Sequence, residues 1–192
     1  MSEPAWVPLG ASAPGAIPLV TALPVSPYDG QEIILTDSLT APTYTWRLRY
    51  VAAKASNRWQ FIGGAPLVKT NDPNGVISGR TQIASTGYYY DPLTAFNAPV
   101  AGDYFVLGVM AFEPKTNQNI LALSVFAGTG IPTQTFLDAA VNTTAPWEQV
   151  AQGLLSGVAA GATMGLAAQS PGAAVQFMRR NTVQFFPVAI GG

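Results

Sequence analysis

Short runs of β-branched and aromatic residues, each ended by Gly, Pro, Asn or Asp, constrain the fold of this chain more than any other feature. Thr43–Val51 (TYTWRLRYV) is the clearest example, because large apolar side chains alternate there with Thr and Arg. Alternation with a period of two is typical of a strand that buries one face. Similar runs recur at short spacing up to Ile190, with no long amphipathic helix between them. The sequence therefore predicts an all-β protein, built as an antiparallel sandwich or barrel.

Local composition divides the chain into four regions. Residues 1–27 are rich in proline, which fixes φ and lacks a backbone donor, so this region is predicted to be an extended arm. Residues 28–67 contain three of the alternating runs and are predicted to form a small β meander. Residues 68–79 are dense in turn residues and are predicted to be a linker. Residues 80–192 contain the remaining runs and are predicted to form the sandwich.

Apolar anchors distinguish the arm from an ordinary disordered tail, which usually carries few of them. The sequence favours an arm that docks on a neighbouring subunit, with a disordered tail as the alternative. The side chains that are predicted to anchor this arm are Trp6, Val7, Leu9, Ile17 and Leu19.

Two tryptophans are predicted to form a shared core for the meander. Tyr44, Trp46 and Leu48 fall on one face of their strand. Trp59 and Phe61 fall on one face of the next strand, and a hairpin register brings both aromatic faces to the same side of the sheet. We therefore expect these side chains to support folding and not ligand recognition.

Two segments in the second half also permit a helix. Thr135–Val141 is long enough for one or two turns, and Val150–Met164 is rich in Ala, with glycines at every fourth residue. Each helical glycine costs about 1 kcal/mol relative to Ala, so strands are favoured. Gln149–Met178 carries no charge, but its many Gly, Ala, Gln and Ser residues and Pro171 argue against a membrane span.

The absence of Cys and His excludes every mechanism that needs a thiolate or an imidazole. The carboxylates are scattered along the chain, and none forms the paired motif of a glycosidase. Asp72–Gly75 (DPNG) is predicted to be a turn, because it lacks the repeated oxygen ligands of a calcium loop. We therefore expect a non-enzymatic protein without a metal or any other cofactor.

Few charges are available to keep this chain in solution, since Asp, Glu, Lys and Arg make up 10% of it, against about 25% in ordinary soluble domains. A surface of small polar residues, or burial against other subunits, must take their place, and we expect subunit burial to contribute. The formal net charge of −1 provides no basic field for nucleic acid. The first ten residues show no basic stretch followed by an apolar one, so no signal peptide is expected.

Two clusters are candidates for contact with a partner or ligand. Tyr88, Tyr89 and Tyr90 offer large, stiff side chains with a polar tip, although alternate residues of a strand point to opposite faces. Arg179 and Arg180 are able to bind an anion or a partner carboxylate; the alternative is a solvent-facing turn between two strands.

Several motifs occur in an order that resembles a known group of proteins. Residues 24–67 contain YDGQE, the aromatic strand TYTWRLRY and the closing RWQFIGGAPL, and this segment resembles one that recurs in minor tail and tail-fibre-like proteins of actinobacterial phages. In the remainder, PVAGDYFVLGVMAF and NTVQFFPVAI resemble the first and last core strands of the jelly-roll domain that commonly follows.

The resemblance implies a virion protein with a jelly-roll-like β-sandwich, distantly similar in architecture to C1q and tumour necrosis factor, and often trimeric. It implies a structural role at the tail tip or fibre, with contacts to other virion proteins and a host-surface glycan. Because this chain is short and has no shaft-like repeats, decoration of the capsid is the alternative within the virion. A carbohydrate-active enzyme is a remote alternative.

Overall fold

The computed structural model describes residues 16–71, 81–83, 89–90, 93–112, 121–128, 134–138, 147–169 and 176–191. These residues form two β-sheets and contain no helix, which confirms the predicted all-β class. The strands in chain order are β1 (Leu19–Val20), β2 (Glu32–Leu35), β3 (Thr45–Tyr50), β4 (Trp59–Ala65), β5 (Leu67–Asn71), β6 (Thr81–Ile83), β7 (Tyr89–Tyr90), β8 (Phe96–Asn97), β9 (Gly102–Phe112), β10 (Leu121–Ala127), β11 (Gln134–Asp138), β12 (Trp147–Val158), β13 (Thr163–Gln169) and β14 (Gln176–Ile190).

The larger sheet, called here the long sheet, has nine strands and is organised around β14. Its main order is β1-β2-β3-β4-β14-β9-β12. One edge of β14 pairs with β9 along almost its whole length. Its other edge is shared by β6, β5 and β4, which pair with successive segments of β14 from its beginning to its end. The strands of the meander therefore continue the sheet of the sandwich without a break.

The smaller sheet, called here the short sheet, has five strands in the order β11-β10-β13-β7, with β8 also paired to β13. After β8 the chain crosses to the long sheet for β9, returns for β10 and β11, and then alternates through β12, β13 and β14. The orders β5-β14-β9-β12 and β8-β13-β10-β11 are those of a jelly roll. The predicted jelly-roll-like sandwich is therefore confirmed by its strand order.

The hydrophobic core lies between the two sheets and extends under the meander. Trp46 is fully buried, stacks on Tyr44 with ring centroids 4.0 Å apart, and meets Phe96 and Tyr104 edge to face at 6.2 Å each. Because Phe96 and Tyr104 belong to the sandwich, the aromatic face of β3 packs against it. The meander has no separate core of its own.

The other side chains assigned to the meander core are buried to different extents. Leu48 and Trp59 are buried in the same core, and Trp59 meets Tyr50 edge to face at 5.3 Å. Phe61 is half-buried and packs against the edge of this core, and its ring lies 6.4 Å from the ring of Phe186. It stands where β4 leaves β14, since the pairing of these strands covers only two residues of β4. Phe61 therefore reaches the surface, unlike Trp59.

Two glycines allow close approaches that a larger residue would prevent. On β9, Gly108 faces Leu166 of the short sheet, whose side chain occupies the space that a Cβ atom would take. On β4, Gly64 has a φ of 104° beside the backbone of Thr45, close to a register shift between β3 and β4. The first glycine allows the two sheets to approach closely, and the second allows a positive φ beside the backbone of Thr45.

The predicted linker at residues 68–79 is wrong for its first four residues, which belong to β5. Their Lys, Thr and Asn residues favour a turn in isolation, but β14 provides a strand partner from Leu67 opposite Phe185 to Asn71 opposite Asn181. The pairing overrides the weak local preference. Residues 72–79 lie outside the described part of the chain.

The structure decides two questions that the sequence leaves open, one at β12 and one at β14. The Ala- and Gly-rich segment after residue 150 is strand β12 followed by a turn and β13, as favoured over a helix. The solvent-facing turn considered at Arg179 and Arg180 is wrong, because β14 continues through both residues. The pairing of β14 with β9 has a register shift here, between Met178 and Arg180. Among the described residues, no helix is long and apolar enough to cross a membrane.

Part of the described arm packs on its own chain, while the docking of the arm on a neighbouring subunit stays a prediction. Strand β1 pairs in parallel with β2, and the carbonyls of Pro18 and Val20 accept hydrogen bonds from Ile34 and Thr36 at 2.8 and 2.9 Å. Val20 and Leu23 pack against the core. Ile17 is half-buried and Leu19 is 42% exposed. The backbone around Leu19 is therefore held on the subunit itself, its side chain is exposed, and Trp6, Val7 and Leu9 lie outside the described residues.

Candidate subunit-contact surface

The face of the long sheet that points away from the short sheet, called here the outer face, has two halves of different chemistry. The charged half lies on β2 and β3 and presents Glu32, Arg47 and Arg49. The apolar half lies on β14, β9 and β12 and on the adjoining end of β4. Its side chains are Phe105, Leu107, Val109, Val150, Leu154, Phe186 and Val188. The ring of Phe61 joins them at the end of β4, although Phe61 also packs against the core.

The strand register arranges the apolar half in rows across the sheet. Phe105 on β9 stands opposite Leu154 on β12 and Phe186 on β14, so three large apolar side chains form one continuous row. Val109 stands between Val150 and Thr182 in a parallel row. Val150 is 56% exposed and Leu154 is 46% exposed, although they lie in a regular strand. The solvent-facing side of an antiparallel sheet is normally polar, so this half is unusual.

A shallow groove runs through the apolar half beside β14. The rings of Phe105 and Phe61 each lie 6.4 Å from that of Phe186, on opposite sides of it. The groove encloses about 420 Å³ and is open to solvent, so it suits an extended chain better than an enclosed small molecule. It is lined by Phe61, Phe105, Leu107, Phe186, Pro187 and Val188.

Charged and polar contacts close the two ends of the apolar half. At one end, Arg180 on β14 donates to Glu148 on β12 at 2.8 Å, above Ala111 of the strand between them. Ala111 is buried, consistent with cover from this ion pair. At the other end, the carboxylate of Asp103 accepts a hydrogen bond of 2.8 Å from the backbone of Gly157. Between these ends the face carries apolar side chains with Gln and Thr.

The charged half is a small network centred on one carboxylate. Glu32 accepts hydrogen bonds from Arg47 through one oxygen and from Arg49 through the other, with shortest distances of 2.6 Å. The Arg49 and Arg47 guanidinium groups hold the pKa of Glu32 below its ordinary value, against a smaller opposing effect of burial. The network leaves a local excess of positive charge that is exposed to water. This half of the outer face is therefore well solvated.

The predicted contact residues lie in different parts of the fold. Tyr89 and Tyr90 form β7, which pairs with β13 in the short sheet. Tyr88 and the side chains of Tyr89 and Tyr90 lie outside the described part of the chain. The structure places Arg179 in β14 without describing its side chain, while Arg180 binds Glu148 of its own chain. Strand β7 therefore lies in the short sheet, and the two arginines lie in the long sheet.

The sequence reasoning missed the apolar half, although a signal for it is present. β9 reads GDYFVLGVMAF and the end of β14 reads TVQFFPVAI, so both carry runs of apolar residues where a half-buried strand should alternate. Continuous apolar runs indicate strands that are covered on both faces. In this structure the inner face is covered by the core, and nothing described covers the outer one. Within the described residues, no group of three or more Asp and Glu side chains is placed to hold a metal ion.

These features define a two-sheet jelly-roll protein with a half-apolar outer face. No protein-family model matches the sequence, and no curated protein matches it. The similar solved structures include a chain of the Gx strain of infectious bursal disease virus, with a TM-score of 0.40 and 12% identity over 80% of this chain and 40% of that chain. The VP2 subviral particle of the same virus gives a TM-score of 0.39 and 11% identity over 82% of this chain and 46% of that chain.

A third similar structure is the N-terminal endo-1,4-β-D-xylanase 10B of Clostridium thermocellum, with a TM-score of 0.35 and 12% identity. The match covers 71% of this chain and 27% of the xylanase chain. The chain therefore spans less than half the length of each of these three proteins. These TM-scores establish no shared family, and the fold assignment rests on the strand order.

Proposed function

We propose that this chain is a non-enzymatic structural subunit of a bacteriophage virion, which binds copies of itself, as a trimer, and other virion proteins through the apolar half of its outer face. The observation that carries the proposal is the row formed by Leu154, Phe105 and Phe186 on the solvent side of a regular sheet. Removing such side chains from water stabilises an association by about 25 cal/mol per Å² of apolar area. The low charge of the whole chain supports the same conclusion.

The size of the apolar half shows what else the assembly needs. It spans about 14 Å across four strands and about 20 Å along them, a footprint of roughly 300 Å². A stable interface buries about 800 Å² on each partner. The apolar half therefore requires additional contacts, which other parts of the subunit must supply.

Within the virion, we propose a location at the tail tip or fibre, where the sandwich is presented to a host-surface glycan. The resemblance of residues 24–67 to minor tail proteins supports this location. Capsid decoration is the second candidate, and it is favoured by the Pro-rich arm, which would clamp neighbouring capsid subunits. Both locations use the same apolar contact surface.

Immunogold labelling of whole particles tests the proposed location directly. Gold at the tail tip supports the tail role, gold over the head supports decoration, and particles without label would refute a virion protein. Light scattering of the purified chain tests self-association, for which a trimer mass is expected. A stable monomer at micromolar concentration would contradict the proposed use of the apolar half. Release of sugars from a polysaccharide by the purified chain would contradict the non-enzymatic role.

A further inference from the structure

We propose that the groove lined by Phe61, Phe105 and Phe186 binds residues 1–15 of a second copy of this chain. This inference rests on the proposed function, because it names the partner of the same apolar half. The groove is aromatic and lined by side chains without charge. Residues 1–15 (MSEPAWVPLGASAPG) match it, with three prolines and a single charged side chain.

The chemistry of the two surfaces is complementary in a specific way. Proline lacks a backbone donor, so a Pro-rich segment is poorly suited to extend a sheet at its edge. Such segments instead adopt the extended polyproline conformation and dock in aromatic-lined grooves through their side chains. The groove is lined by side chains of β4, β9 and β14, so a segment bound in it is held by side-chain contacts. Trp6, Val7 and Leu9 provide the apolar side chains that would fill it.

The strand register shows why the groove belongs to a neighbour. Traced backwards from Leu19 to Ala16, the chain runs towards the end of the long sheet where Trp59 pairs with Ile190. From Ile190, the groove lies in the opposite direction, towards Phe186. The arm therefore leaves the sheet pointing away from the groove of its own chain. A neighbouring copy placed at that end receives it without a reversal of the chain.

Residues 1–15 are long enough to extend beyond the subunit that carries them. A segment of 15 residues in the polyproline conformation extends about 46 Å, at about 3.1 Å per residue. This length exceeds the roughly 19 Å that separate β1 from β14 across four strand spacings. The arm also supplies contacts that the footprint of the apolar half alone lacks.

The experiment uses two chains and two peptides. The full chain and a chain without residues 1–15 are compared by light scattering, and circular dichroism checks that both retain the sheet. A fluorescent peptide of residues 1–15 is then titrated against the shortened chain, and anisotropy is followed. The control peptide carries Trp6→Ala and Leu9→Ala.

The matched protein variants are Val188→Lys and Leu39→Lys. Val188 lines the groove and is 41% exposed, so a lysine there adds charge without opening the core. Leu39 is 59% exposed in the loop before β3, and does not line the groove. We expect saturable binding of the peptide to the shortened chain, weakened at least about tenfold by Val188→Lys and unchanged by Leu39→Lys. The control peptide should bind at least about tenfold more weakly.

The masses of the oligomers, measured by light scattering, give the second part of the result. Loss of the oligomer on deletion of residues 1–15, or on Val188→Lys in the full chain, supports exchange between copies. The second of these variants keeps the inference testable if the shortened chain does not fold. An unchanged oligomer in both variants overturns the inference, as does equal peptide binding to both lysine variants. A monomeric full chain whose groove excludes the peptide would show that the arm binds its own groove, which also overturns it.

Failure of this inference is separable from failure of the proposed function. Peptide that does not bind, with particles that are still labelled by gold, removes only the arm as the occupant of the groove. Peptide that binds, with particles that carry no label, leaves the groove contact in place and removes the virion role.

Discussion

The two halves of the outer face belong to one sheet, yet their side chains suit opposite environments. In the charged half, Glu32 is held between two arginines, and its ion pairs remain in contact with water. In the apolar half, the corresponding positions carry Leu154, Phe105 and Phe186. Both halves cover the same buried core on their inner side. The difference is therefore not needed for folding, and in the proposed function the apolar half is the part of the face that meets another protein.

The largest expected effect tests whether the two halves really share one core. Trp46→Ala removes a fully buried side chain that contacts Tyr44 on the charged side and Tyr104 on the apolar side. We expect a loss of about 3–5 kcal/mol in the free energy of unfolding. Denaturant unfolding followed by circular dichroism measures it, with the exposed Leu39→Ala as the control. Normal stability of Trp46→Ala would show that the meander is independent of the sandwich.

The next effect concerns assembly and compares the halves directly. Leu154→Lys places a charge in the centre of the apolar half, at a side chain that is 46% exposed. Because burying an unpaired charge is costly, we expect subunit association to weaken by at least about tenfold while the fold is retained. Arg49→Ala in the charged half should leave association unchanged. Analytical ultracentrifugation of both variants gives the answer, and equal effects would abolish the distinction between the halves.

A smaller effect is expected at alkaline pH, because one buried tyrosine lies beneath each half. Burial, together with the charge of Asp37, raises the pKa of Tyr44 to about 12, and burial also raises the pKa of Tyr104. An unfolded tyrosine ionises near pH 10. The contribution of these groups to stability is therefore present below about pH 10 and is lost as the pH rises towards the folded pKa.

Unfolding measured at several alkaline pH values tests this expectation. Tyr44→Phe should reduce the loss of stability between about pH 10 and pH 12. Tyr28→Phe is the matched control, since Tyr28 is exposed. An identical alkaline profile for all three proteins would mean that the inner faces are accessible to water.

The smallest effect is expected in the charged half itself. Glu32→Gln removes the ion pairs with Arg47 and Arg49, but pairs this exposed contribute little to stability. The pKa of Glu32 is lowered by Arg49 and then Arg47, so its contribution is present above the ordinary carboxylate pKa and is lost as the pH falls through the lowered value. Urea unfolding at low and high salt measures the difference, which salt should reduce. A large, salt-independent loss would mean that this half is also buried in the native protein.

The sequence predicted strands where local patterning and tertiary pairing agree. The bounds of β9 follow from the pattern, because Gly102 begins an apolar run that ends at Phe112. Residues 68–71 are predicted to be part of a linker because the turn residues that follow dominate this region. Arg179 and Arg180 permit a turn because their charged side chains interrupt the apolar pattern. Both segments are strands, since β5 pairs with β14 and β14 pairs with β9 across long distances in the chain. The continuous apolar runs of β9 and β14 indicate strands that are covered on both faces. They do not show which outer side chains stand side by side, because Leu154, Phe105 and Phe186 are brought into one row only by the strand register.

The position of β14 in the chain has a consequence for how the protein is made. Strands β4, β5, β6 and β9 all depend on β14 for a neighbour, yet β14 follows every one of them in sequence. The pairing of Trp59 with Ile190 joins residues that are far apart in the chain, and such distant contacts form slowly. During synthesis, the edges of these strands that pair with β14 therefore stay unpaired until residues 176–190 have left the ribosome. A nascent chain stalled before Gln176 is expected to be protease-sensitive throughout, and protection of β2 to β4 in such a chain would show that the meander can fold first.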